Sequence, residues 1–128
     1  MRWGIVGHGR IVSTFLDAAR GVGHEAVAVI GREASRAAAF ATSQGIGWSS
    51  SDPTDLVSEV DAVYVATPHS SHSEVAVVLL GAGVPVLCEK PMAVNAPQVQ
   101  QMVDVARSSG AFLMEACLLY TSPSPRDA

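Results

Sequence analysis

Short apolar runs alternate with segments of helical period along most of the chain, and glycines or polar turns separate one from the next. Residues 3–6 read as a buried strand, and Ile11, Phe15, Leu16 and Ala19 recur at helical spacing within 10–20. Gly21 and Gly23 stop that helix. A second strand is expected over 26–30, an alanine-rich helix over 33–44 with Gly45 as its stop, and a short third strand over 46–49. Asp52 and Pro53 suit the cap and first turn of a brief helix ending near Val57 or Ser58. Residues 61–66 are continuously apolar after Asp61, as in a strand covered on both faces. Ser71 and Glu74 read as a capping box before the apolar run 75–80. The next strand, 84–88, contains Pro85, which points to an edge position or an irregular start. Asn95 and Gln98 form a second capping pair ahead of Val99, Met102, Val103 and Ala106, Gly110 ends that helix, and a last strand begins over 111–115. Strand and helix thus alternate about six times with short connections, which predicts an α/β fold. The expectation is a doubly wound, mostly parallel sheet with right-handed crossovers and helices on both faces. Its order, 3-2-1-4-5-6, follows by analogy with sheets of this type.

A chain of 128 residues is enough for one domain without metals or disulfides to hold it. Lys and Arg number 8 against 12 Asp and Glu, a net charge of -4, which argues against nucleic acid or an anionic membrane as partner. A small phosphate ligand needs only a local array of donors and is not excluded. Cys88 and Cys117 form no CxxC, and with four histidines they show no structural-zinc spacing, so no metal is expected. The first apolar stretch is too short and too interrupted by glycine for a signal peptide or a membrane span. Free thiols and the absence of such a segment suit the cytoplasm.

Gly7-His8-Gly9-Arg10 lies between the first strand and the first helix, the context a dinucleotide-binding turn requires. Gly7 can adopt a conformation closed to other residues, and Gly9 would let the backbone approach a pyrophosphate. The following helix would direct its N–H groups and positive end at the phosphates. Val12 stands where a third small residue is usual, and its effect there is on helix-to-strand packing. After the second strand comes Gly31-Arg32, with no Asp or Glu at the position from which a carboxylate would accept from ribose hydroxyls. Arg32 offers donors suited to a 2′-phosphate, so NADP is the preferred cofactor, with NAD as the alternative; Glu33 beside it weakens that preference. A tight turn that merely needs glycine, and a solvated arginine, are the plainer alternatives.

Several further segments carry a family resemblance. They are WGIVGHGRI over 3–11, AVYVATPH over 62–69 followed by His72, CEKP over 88–91, and FLMEA over 112–116. Together they resemble the glucose–fructose oxidoreductase and inositol dehydrogenase superfamily (Gfo/Idh/MocA), close to its trans-dihydrodiol dehydrogenase-like members. The EKP run and the TP-containing run are more specific than the glycine turn, and the similarity covers residues 2–116. The resemblance implies a Rossmann domain, NAD(P), and hydride transfer at a hydroxyl-bearing carbon of a sugar, cyclitol or dihydrodiol. It also implies a second domain that shapes the substrate pocket and a homo-oligomeric parent. Its motifs, with Arg32 added from the end of the second strand, give an expected cofactor-binding set of Gly7, His8, Gly9, Arg10, Ile11, Arg32, Thr67, Pro68, His69, His72, Glu89 and Lys90. Lys90, the only lysine, becomes the candidate catalytic residue, placed to stabilise a developing alkoxide or relay its proton. Glu89 is expected to orient the turn. The rival readings are a stand-alone nucleotide-binding or redox-sensing module without turnover, and an oxidoreductase-like structural subunit.

The dinucleotide domain is expected to span 1–116. The run 117–128, CLLYTSPSPRDA, resembles the conceptual translation of a sequencing adapter, and Pro123 and Pro125 rule out continued strand or helix. It is expected to be non-native and to carry no function, and a fragment of this extent is expected to lack useful dehydrogenase activity.

Overall fold

The structure, a computed structural model, describes residues 1–66, 69–89 and 96–115. Six strands form one sheet: β1 (Arg2–Val6), β2 (Glu25–Ile30), β3 (Ser49–Ser50), β4 (Ala62–Val65), β5 (Val86–Cys88) and β6 (Leu113–Glu115). Four helices connect them: α1 (Arg10–Gly21), α2 (Ala34–Ser43), α3 (His69–Gly81) and α4 (Ala96–Ser109), with a 3-10 helix over Pro53–Leu56. The strand order is β3-β2-β1-β4-β5-β6 and every pairing is parallel, as the alternating pattern predicts. β1 is central, with Ile5 opposite Val29 on one side and Tyr64 on the other.

Two apolar clusters, one on each face, follow from the period-2 alternation of strand side chains. Ile5, Val29, Tyr64 and Leu87 point to the face covered by α1 and α2, where Val12, Phe15, Leu16, Ala37 and Ala41 meet them. Val6, Ile30, Val63, Val65, Val86 and Cys88 point to the face covered by α3 and α4, against Ala76, Leu79, Leu80 and Met102. Val12 is fully buried, so the helix-to-strand contact accommodates valine in place of a smaller residue. At Gly4, in β1, a Cβ would stand 3.0 Å from both δ-carbons of Leu56 and 3.2 Å from Val60 Cγ1, so any side chain would have to displace theirs.

Three local expectations need correction. The third strand is Ser49–Ser50 and not 46–49, because Ile46 is a buried core residue packed with α2, while Trp48 and Ser50 carbonyls supply the bonds to β2. α3 begins at His69, so Ser71 and Glu74 lie within its first two turns and do not form its cap. Pro85 precedes β5, an interior strand, so of the two readings of that proline the irregular strand start is the one observed; its carbonyl accepts from the Val63 N–H at 2.9 Å. The Asp52 cap is as expected: its carboxylate accepts from Thr54 N at 3.0 Å and Thr54 Oγ1 at 2.8 Å. Residues 116–128, and so the proposed tail, lie outside the described residues.

Candidate nucleotide-binding and active site

At the carboxyl edge of the sheet, four backbone bonds hold successive turns in a row. Gly31 N donates to Ser50 O at 3.1 Å, Gly7 N to Ile30 O at 2.8 Å, Ala66 N to Val6 O at 2.8 Å, and Glu89 N to Val65 O at 2.8 Å. The residues that immediately follow β2, β1, β4 and β5 therefore stand side by side. Three strand spacings separate Gly31 from Glu89, roughly 14 Å at about 4.8 Å each. The strand order reverses at β1, and crevices at such a reversal are where open parallel sheets bind ligands.

Gly7 and Gly9 serve the turn differently. Gly7 has φ 108°, a conformation that a Cβ makes costly. Gly9 has φ 161° and ψ -173°, an extended backbone open to any residue, and a Cβ there would meet nothing within 4 Å. The fold itself gives no reason for glycine at position 9; the open space in front of it is what a closely approaching ligand backbone would use. Gly9 caps α1 without a side-chain hydrogen bond, and the first turn of α1 contains no acidic residue. The helix start thus presents N–H donors with no carboxylate in its own first turn, which fits the pyrophosphate of a dinucleotide. Arg10 and Ile11 open the helix and are exposed.

On the β2 side, Gly31 is buried and His8 packs over it. A Cβ on Gly31 would lie 3.1 Å from Ala37 Cβ and 3.3 Å from His8 Cδ2. The His8 ring also lies 6.2 Å from the Phe40 ring, tilted by 38°. Arg32 is exposed at the start of the next segment, and Arg36, which the motif reading passes over, is exposed in the first turn of α2. Glu33 is engaged locally, its carboxylate accepting from Ser35 Oγ at 3.1 Å.

On the β5 side, the Tyr64 hydroxyl donates to Glu89 Oε2. Tyr64 is fully buried and stacks on Phe15, centroids 4.0 Å apart and planes within 8°. Phe15 in turn meets Trp3 edge-on at 5.0 Å, and Trp3 Nε1 donates to His24 Nδ1 at 3.0 Å. A column of rings therefore runs from the amino edge of the sheet to the carboxylate beside β5. The motif reading assigned Tyr64 no role; the available signal was a phenol in an otherwise aliphatic strand, since a buried tyrosine hydroxyl usually needs a partner. Thr67, Pro68 and Lys90 lie outside the described residues, and of His69 and His72 only the backbone, at the start of α3, is described.

An apolar groove of about 800 Å³ opens at the opposite, amino edge, lined by residues that include Trp3, Phe15, Val22, Phe112 and Met114. Among the described residues its lining contains no lysine, arginine or carboxylate side chain and none of the glycine turn. Among the described residues no cluster of side chains could hold a metal, and no helix is long and apolar enough to cross a membrane.

The model of the oxidoreductase family with an NAD-binding Rossmann fold matches residues 1–117. The chain belongs to the Gfo/Idh/MocA family. Within it, the chain is 42% identical over 121 residues to mouse trans-1,2-dihydrobenzene-1,2-diol dehydrogenase, which covers 91% of this chain and 36% of the relative. Among solved structures it is similar to KijD10, a 3-ketoreductase from Actinomadura kijaniata in complex with NADP and TDP-benzene. The TM-score is 0.85 at 33% identity, covering 98% of this chain and 40% of that one. It is also similar to the WlbA dehydrogenase of Bordetella pertussis in complex with NADH and UDP-GlcNAcA, with TM-score 0.80 at 29% identity over 89% of this chain and 36% of that one. The chain spans about a third of the length of the curated relatives it matches. NADH and NADP are thus each bound by a structurally similar protein.

Proposed function

We propose that this chain is the nucleotide-binding domain of an NADP-preferring dehydrogenase acting on a hydroxyl-bearing carbon of a sugar, cyclitol or dihydrodiol. The observation that supports this reading most is the vacancy-tolerant position 9: glycine where the backbone needs none, facing open space at a helix start free of acidic residues. Gly7, Gly9 and the first N–H groups of α1 would hold the pyrophosphate, and His8, Arg32 and Arg36 stand at the side where the adenosine would lie. Thr67, Pro68, His69, His72, Glu89 and Lys90 follow β4 and β5 in the sequence and would flank the nicotinamide. The bound nicotinamide supplies the exchange of hydride.

The protein's contribution at that end is positioning and charge. Lys90 would stabilise negative charge on a substrate oxygen as that oxygen loses its proton. The Tyr64 hydroxyl holds the carboxylate of the preceding residue, which anchors the start of that turn in the core. Pro91 would fix the backbone after Lys90.

The test is in two steps. Titration of this chain with NADPH and NADH, read by nicotinamide fluorescence, should show saturable binding with NADPH tighter. In a full-length parent, Lys90→Met should leave NADPH affinity largely in place and reduce turnover by about 100-fold or more, the scale of losing one stabiliser of transition-state charge. Normal turnover in that variant, or no uptake of either nucleotide by the parent, would refute the reading.

A further inference from the structure

We infer that His8 sets the choice between the two nicotinamide nucleotides, by occupying the place at the end of β2 where a ribose-binding carboxylate would stand. The inference rests on the nucleotide-binding reading above and concerns the same crevice. Selection of NAD over NADP in folds of this kind uses an acidic side chain just past the second strand, which accepts from the ribose hydroxyls and repels a 2′-phosphate. Here that position is Gly31, and it is tightly flanked on two sides. A Cβ on it would meet Ala37 Cβ at 3.1 Å, His8 Cδ2 at 3.3 Å and His8 Nε2 at 3.7 Å. The ring is steadied from beyond by Phe40, 6.2 Å away centre to centre.

The consequence is a change in the chemistry of that end. His8 is exposed, so the rest of its ring is available to a ligand. An imidazole nitrogen can donate where a carboxylate only accepts. The nearest carboxylate in sequence, Glu33, accepts from Ser35 Oγ at 3.1 Å, within its own turn. Arg32 and Arg36 add positive charge on either side of it. Donors and cations facing a ribose favour a phosphate on its 2′-oxygen over a hydroxyl. His8 therefore acts twice: it keeps a side chain from growing at position 31, and it substitutes a donor for the acceptor that would have been there.

The experiment measures Kd for NADPH and for NADH on the full chain at one ionic strength, for the parent, His8→Ala, Gly31→Asp and the double variant, with circular dichroism as the check on folding. His8→Ala should lower the NADPH-to-NADH preference about tenfold, mainly by weakening NADPH. Gly31→Asp alone should weaken NADPH and improve NADH little, because the imidazole obstructs the new carboxylate. The double variant, which removes the imidazole and supplies the carboxylate, should turn the preference to NADH. A His8→Ala preference within twofold of the parent overturns the inference, as does Gly31→Asp alone matching the double variant. If Gly31→Asp fails to fold, the His8→Ala preference alone decides, with His8→Asn, which keeps a donor, expected to lie between parent and alanine. Uptake of neither nucleotide by the parent would refute the broader reading instead, whereas variants that bind with an unchanged ratio refute only this one.

Discussion

At the scale of single residues, the two glycines of the β1–α1 turn can be told apart by what their loss should do. Gly7 sits at φ 108°, so Gly7→Ala places a Cβ in a strained conformation and should cost about 1–3 kcal/mol of stability, measured by urea denaturation. Gly9 has extended backbone and open space before it, so Gly9→Ala should leave stability within about 0.5 kcal/mol of the parent. Its NADPH affinity should nonetheless fall about tenfold, roughly 1.4 kcal/mol, because the methyl group stands where the ligand approaches. A stability loss at position 9 equal to that at position 7 would assign both glycines to the architecture alone. The motif made both residues candidates from spacing; only the dihedrals separate their duties. The placement of His8 against Gly31 and the bond from Tyr64 to Glu89 were not legible in the same way. Each joins residues more than twenty positions apart, and no local pattern encodes such a meeting.

At the scale of elements, strand order, parallel pairing and the number of helices follow from the alternation of apolar runs with helical period. What the pattern misplaces are ends. Ile46 is apolar and suggests a strand, yet its side chain is used by the α2 core, and the strand that pairs with β2 is formed by two serines that carry no hydrophobic signal. The Ser71–Glu74 spacing satisfies a capping rule inside a helix that has already begun. The 3-10 helix offers two tests. Gly4→Ala should destabilise by about 1–3 kcal/mol through overpacking against Leu56. Leu56→Ala should cost about 2–5 kcal/mol on its own, and the double variant less than the sum, since the smaller residue makes room for the new methyl. At the head of the same element, the hydroxyl and then the amide of Thr54 hold the Asp52 carboxyl below the ordinary aspartate range. A folded-state pKa lowered in this way adds stability above the unfolded value and loses it as the pH falls through the folded one. Asp52→Ala should therefore lower the thermal midpoint at neutral pH, and the gap should narrow on acidification below that range.

For the whole molecule, the sheet separates two apolar clusters that share no buried residue. Leu16→Ala on one face and Leu80→Ala on the other should each cost about 2–5 kcal/mol. Their effects should add to within about 0.5 kcal/mol, in a single urea transition common to both faces. Two separate transitions would mean that the faces unfold independently. A column of rings from Trp3 through Phe15 to Tyr64 links the two edges of the sheet. Its foot is an indole, so the protein carries its own lamp a few strand residues below the crevice. Replacing the only other tryptophan, Trp48, by phenylalanine would leave that single emitter, and dimming of its light by a reduced nicotinamide would report occupancy without any added label.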